Sequence, residues 1–325
     1  MLLSSIWTHY SSFYSSQTVQ KILVNQYQKI NIPSPEQKAF QNSYPFMYYL
    51  MHAENHFKTA NQSPFAVQPT LAFYGLCQLM KAAILTVDPD YPSHSSLLAH
   101  GVSSRKRKKQ NYQFLDDEIK IQKNGLFGHV AQCLFHMKHV EGDKYSMQQL
   151  LRKLPEQEEV FKQNLEIETM YRISKEMDSL HIHKELADFY FVSPNRLKEI
   201  VENKLNLICK KEQENSYIFE APTYFDIVWN SKLAWNFFNN QLYLPTNKDD
   251  LRAVPEVLIH YLLLYNLSMI SRYETEWWYD LLFSHTSYDY IFIYQFIHAS
   301  LLKIPFIFYQ FFESIFFTQN KTWEL

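Results

Sequence analysis

The densest group of chemistry-bearing side chains in this 325-residue sequence is the run Arg105, Lys106, Arg107, Lys108 and Lys109. Five consecutive cations repel one another and stay in water unless something anionic lies opposite them. His100, Gly101, Ser103 and Ser104 stand just upstream and offer small donors that could complete an anion site. Tyr112 and Phe114 follow, as a surface for stacking a nucleic-acid base would require. The plainer alternative is a solvated loop whose charge is answered internally by Asp116, Asp117 and Glu118.

Other clusters are weaker. His129, Cys133 and His136 are spaced i, i+4, i+7 on one helical face, with His139 beyond them. Imidazole and thiolate are zinc ligands, but a structural site draws pairs from two segments and no second pair is visible, so a packed helix face without metal is expected. His52 and His56 have the histidine spacing of a zincin helix, yet Glu54 follows the first histidine by two positions rather than one, which misplaces the catalytic base. Lys81 lies within a strongly apolar stretch and Arg272 ends another. Buried cations need partners, so each is read as a structural ion pair or, alternatively, as part of an anion pocket between two helices. No Gly-x-Ser-x-Gly elbow, phosphate loop or dinucleotide fingerprint occurs, and neither a familiar enzyme class nor a cofactor is expected.

The elements that must position these residues read as mainly α. Phe73, Leu76, Met80, Ala83 and Val87 recur at spacings of three and four, predicting a helix over 70–87 opened by Pro69 and closed by Asp88-Pro89-Asp90. Residues 255–273 are apolar almost all round, the profile of a central helix. Further helices are expected over 16–30, from Ser34-Pro35-Glu36-Gln37 with Ser34 as cap, and over 128–139, 146–153, 274–283, 288–302 and 305–317. Pro45 is expected to break or kink its helix. Residues 112–121 suggest a short hairpin, and 180–192, 205–210, 216–220 and 224–229 read as strands of a small antiparallel sheet. The expected architecture is a multi-helix core with a small antiparallel β-containing insertion: an N-terminal helical part over 1–143, a mixed part over 144–247, and a C-terminal helical part over 248–325 packing on the first.

Composition narrows the functional classes. Twenty-five Phe and 23 Tyr against 5 Gly disfavour a glycine-rich phosphate cradle and a sandwich of tight hairpins. The net charge of -2 gives no global attraction for nucleic acid or membrane, so any such binding needs a local patch. Cys77, Cys133 and Cys209 fit reduced thiols in the cytoplasm. No secretion signal is read, and polar interruptions such as His260, Asn266, Lys303 and Glu313 favour buried core helices over membrane spans.

Leu71-Ala72-Phe73-Tyr74-Gly75-Leu76, Leu79 to Ala83, Leu98-Ala99-His100-Gly101-Val102, the basic run, Gly125-Leu126-Phe127 and Met269 to Tyr273 together resemble the YaaC family of Bacillales and related bacteria. The resemblance implies a purine-nucleotide context, because genes of that family often lie beside that for IMP dehydrogenase, which it suggests as a partner. Parts of the first central helix are also similar to HEPN-like helical proteins, many of them RNases that use an Arg followed four to six residues later by His. No such pair occurs here. The expectation is a non-enzymatic binding or regulatory protein that engages a phosphate-bearing ligand or an acidic partner through His100, Gly101 and the 105–109 run, with Lys81 and Arg272 as further ligand contacts. An RNA-binding or RNase reading without the usual motif is the alternative.

Overall fold

The computed structural model describes residues 3–104, 112–230, 232–251, 254–285 and 287–316. The protein is mainly α, with small antiparallel sheets. It divides into two compact units: the described residues of Met1–Gln148 with Val257–Asn320, and those of Gln149–Glu256.

The first unit opens with α1 (Leu3–Tyr10), α2 (Ser16–Lys29), α3 (Pro35–Gln62) and α4 (Gln68–Leu85). Helices α3 and α4 lie side by side at Gly75, where an added Cβ would stand 2.8 Å from the buried Phe57 ring. Tyr27 of α2 donates to the Leu85 carbonyl at the exit of α4. A three-stranded sheet follows, β1 (Val102–Ser104), β2 (Glu118–Ile121) and β3 (Lys144–Ser146), with β2 central, and α5 (Leu126–Phe135) is inserted between the last two strands. The short α6 (Met147–Leu151) leads out of this unit.

The second unit contains α7 (Glu158–Leu165), β4 (Met170–Glu176), β5 (Ser179–His183), α8 (Leu186–Phe189), α9 (Pro194–Leu205), β6 (Cys209–Glu212), β7 (Ser216–Glu220), α10 (Tyr224–Val228), β8 (Ala234–Trp235) and β9 (Leu242–Pro245). Its strands form one antiparallel sheet in the order β6-β7-β5-β4-β9-β8. Leu180, Ile182, Tyr217 and Phe219 on the sheet and Leu197 and Val201 of α9 are buried, giving this unit a core of its own.

The chain then returns to the first unit through α11 (Glu256–Tyr273), α12 (Thr275–Ser284) and α13 (Asp289–Phe316). Helix α11 is the hub. His260 bonds Ser300 of α13 at 2.8 Å, Ser271 and Thr70 of α4 share a hydrogen bond of 2.9 Å, and Tyr261 and Tyr265 meet the Phe73 ring at 5.2 and 5.5 Å. Helix α13 is long and apolar enough to cross a membrane, but 67% of its apolar window is buried inside the protein, as in a core helix. Aromatic rings close this core, as where Phe46 and Phe312 meet edge to face at 5.4 Å.

Several local expectations give way to tertiary packing. Helix α3 runs through Pro45, and α13 through Pro305, joining two expected helices into one. An interior proline costs about 3 kcal/mol, but α3 is buried at Ala39, Phe46, Leu50 and Phe57 on both sides of the proline, and Gln41, whose carbonyl loses its partner, is exposed to water. Ser34 adopts a left-handed conformation with φ 52° and makes no capping bond, whereas Pro35 does open α3. Residues 118–121 pair with β1 and β3 rather than with 112–114 as a hairpin. Residues 224–228 are helical rather than extended, because the Thr223 hydroxyl accepts from the Asp226 backbone N–H in a capping arrangement.

Candidate functional site

A candidate cluster gathers around the Tyr74 ring on the half-buried side of α4. Arg272, in the last turn of α11, sets its guanidinium carbon 5.9 Å above that ring and donates to the Tyr74 hydroxyl at 3.4 Å. Its Nε is anchored on the Ser268 carbonyl at 2.8 Å, and its guanidinium also lies 5.1 Å from the Tyr273 ring. On another side of Tyr74 lies His100, 6.2 Å away and edge-on; it also contacts Phe73 at 5.0 Å and Tyr265 at 5.7 Å. His56 of α3 stacks on Tyr74 at 6.1 Å, with His52 4.4 Å beyond it. Lys81, two turns along α4 from Tyr74, is half-buried with its ammonium 5.8 Å from the Tyr49 ring.

The electrostatics of this cluster are one-sided. Burial pushes the His100 pKa below the ordinary histidine value, and the positive charges of Arg272 and Lys81 push it down further. Both cations therefore act on the same imidazole. Burial and the neighbouring His52 likewise lower His56. Among the described residues, no carboxylate pairs with Lys81, His100 or Arg272, and neither ring nitrogen of His100 is hydrogen-bonded. The expected ion pairs of Lys81 and Arg272 are thus replaced by aromatic faces and, for Arg272, a carbonyl of its own helix. Such contacts leave the cationic charge uncompensated.

Backbone contacts fix His100. Its carbonyl accepts from the Tyr261 hydroxyl at 2.9 Å and from the Phe127 N–H at 3.2 Å, and the Ala99 carbonyl accepts from the Leu126 N–H at 2.7 Å. Gly101 (φ 76°) and Gly125 (φ 133°) stand back to back, so close that a Cβ on Gly125 would lie 2.3 Å from the Gly101 nitrogen. Only glycine allows that approach. The His100 turn is therefore held against the start of α5.

Of the other expected site residues, Arg105, Lys106, Arg107, Lys108 and Lys109 lie outside the described residues. Ser103 and Ser104 are in β1, where the Ser103 hydroxyl accepts from Gln122 at 2.6 Å. Asp117 is 3% exposed and its carboxylate accepts from Tyr112 and Asn266. Helix α5 ends at Phe135, and His136 (φ 53°) is exposed in the left-handed region, so the expected i, i+4, i+7 face is cut short after Cys133. Instead His129 bonds Asp88 at 2.9 Å, with Cys133 3.7 Å from the same ring nitrogen. Sequence reasoning did not single out Tyr74, Tyr265 or Asp88 as site residues. Tyr74 sits within a stretch read as core, and Asp88 was legible only as a helix stop.

The second unit carries a cavity of about 670 Å³ lined by Arg152, Tyr190, Phe191, Thr246 and Lys248 among others. Its cations are already engaged: Arg152 Nε with Asp250 at 2.9 Å and Lys248 with the Tyr190 carbonyl at 3.3 Å.

A mainly α protein with a small β-containing part and a half-buried cationic cluster is the class these features define. The chain belongs to the YaaC-like protein family, whose model matches residues 11–312 and so takes in both units. Searches of curated proteins and of solved structures found no match.

Proposed function

We propose that this protein is a non-enzymatic binding or regulatory protein that takes a phosphate-bearing ligand between Lys81, His100 and Arg272. One observation carries this reading: Arg272 and the His100 imidazole flank the same Tyr74 ring, Lys81 stands two turns along α4 from it, and no carboxylate among the described residues pairs with any of the three. Partly buried like charges are unfavourable unless an anion joins them. The basic run at Arg105 to Lys109 begins four positions after Gly101 and would add long-range attraction for the same ligand. A cytoplasmic setting fits the free cysteines Cys77, Cys133 and Cys209.

Calorimetric titration with inorganic phosphate, IMP and GMP tests the proposal, IMP and GMP probing the purine-nucleotide context. Lys81→Ala and Arg272→Ala should each weaken binding about tenfold to a hundredfold, since a hydrogen bond to a charged group contributes ~1.5–3 kcal/mol. The triple change of Arg105, Arg107 and Lys108 to Ala should instead lower affinity mainly at low salt, as screened charges do. Wild-type affinity unchanged in both cluster variants would sink the proposal. The RNase alternative draws support from the adjacent imidazoles of His52 and His56 beside Tyr74, since two neighbouring imidazoles can share the roles of acid and base. Cleavage of total RNA by the wild type but not by His56→Ala would replace the binding reading with that one.

A further inference from the structure

Asp88, His129 and Cys133 form a second constellation. Asp88 follows the end of α4, whereas His129 and Cys133 stand one turn apart on α5. Their ligand atoms all lie within 4.8 Å of one another. A metal site is expected to draw its ligands from two segments, and Asp88 supplies the second one beside α5.

The distances suit a tetrahedral ion. Zinc bonds of about 2.0 Å to oxygen, 2.05 Å to nitrogen and 2.3 Å to sulfur, at tetrahedral angles, separate the oxygen and nitrogen ligands by about 3.3 Å and the nitrogen and sulfur ligands by about 3.6 Å. The His129 Nε2 lies 2.9 Å from Asp88 Oδ2 and 3.7 Å from Cys133 Sγ. The Cys133 sulfur also lies 4.0 Å from Nδ1, beside the ring, so its side chain must turn toward the Nε2 lone pair for an ion to take the place of the Asp-His hydrogen bond.

The surroundings already orient the ligands. Asp88 Oδ1 accepts from the Asp90 backbone N–H at 3.2 Å, which leaves Oδ2 turned toward the histidine. Tyr91 stacks on the His129 ring at 5.4 Å and fixes its plane. No lysine or arginine among the described residues pairs with Asp88. The side chains of His129 and Asp88 keep 16% and 27% of their exposure, so an ion can reach them from solvent. Donor chemistry then selects the ion: calcium and magnesium favour all-oxygen shells, whereas one imidazole, one thiolate and one carboxylate suit zinc.

The geometry points to a zinc site formed by Asp88 Oδ2, His129 Nε2 and Cys133 Sγ, with the fourth position left to water. It would tie the exit of α4 to α5.

Metal content of full-length protein dialysed against zinc and then against metal-free buffer provides the test. The wild type should retain about one zinc ion per chain, and Cys133→Ala, His129→Ala and Asp88→Asn should lose most of it. His136→Ala and His139→Ala should retain it. The cobalt-substituted wild type should show a thiolate-to-cobalt charge-transfer band that is missing in Cys133→Ala. Zinc should also raise the wild-type melting temperature above that in chelator, a readout that needs no variant. The inference is overturned if the wild type retains no zinc and shows no such shift. It is overturned equally if Cys133→Ala and His129→Ala retain as much zinc as the wild type, or if the cobalt protein lacks the thiolate band.

Discussion

His100 turns the cationic cluster into something that pH can read. Burial first, then Arg272 and Lys81, hold its pKa below the ordinary value of about 6.5. Between the folded value and about 6.5 the unfolded chain binds more protons than the folded one, so stability rises with pH there. This contribution is fully present above about 6.5 and is lost as pH falls through the folded value. A bound anion works in the opposite direction and favours the protonated ring. Sulfate, whose charge is constant in this range, should therefore bind more tightly as pH falls from about 8 to about 6, and His100→Gln should flatten the trend. Titration calorimetry at fixed ionic strength would measure it, and a pH-independent wild-type affinity would remove His100 from the site. Lys81 and Arg272 were legible in the sequence because a charge within an apolar helix is conspicuous. Their neighbour Tyr74 was not, since aromatic side chains occur both in cores and in sites.

At the level of elements, the contact between α3 and α4 depends on Gly75. Replacing a helical glycine by alanine ordinarily stabilises by about 1 kcal/mol. Here the new methyl would meet the Phe57 ring at 2.8 Å, and that ring is fully buried and cannot swing into solvent. Overpacking of this kind costs ~1–3 kcal/mol, so Gly75→Ala should lower the melting temperature, while Phe57→Leu in the same chain should recover part of the loss. Additive effects in the double mutant would show that the two residues do not clash. The helices α4 and α11 were legible within a few residues because their apolar patterns are long. Tyr224 to Val228 and the passages through Pro45 and Pro305 were not: single-residue propensity reads a short aromatic run as a strand and an interior proline as a break, and neither signal carries the packing that overrides it.

At the scale of the whole chain, the sequence from Gln149 to Glu256 holds a complete sheet with its own buried residues. A chain of this size can bury enough apolar surface to fold alone. Expressed as residues 149–256, it should show strand-containing circular dichroism and one cooperative thermal transition. A fragment without a cooperative transition would show that its core is completed from elsewhere. The remaining segments are far apart in sequence, with Thr70 joined to Ser271 and Tyr10 donating to the Pro305 carbonyl. A mixed middle section was legible from its shift in composition. Packing of the C-terminal helices on the N-terminal ones was an expectation of the sequence, but individual pairs such as Tyr10 with Pro305 were not legible, because partners nearly 300 positions apart leave no local periodicity to read.

The back-to-back glycines bear on how this chain can vary. Gly101 and Gly125 close the base of the interval between them, and the backbone bonds of Ala99 and His100 to Leu126 and Phe127 hold that base shut. Residues added within a loop whose ends are already joined change the closure entropy only logarithmically, about 0.6 kcal/mol per doubling of length. Related chains can therefore lengthen, shorten or recharge the stretch carrying the basic run without moving His100, whereas a single methyl on Gly125 would dislodge it. Binding preference can drift in the interval while the imidazole stays in place.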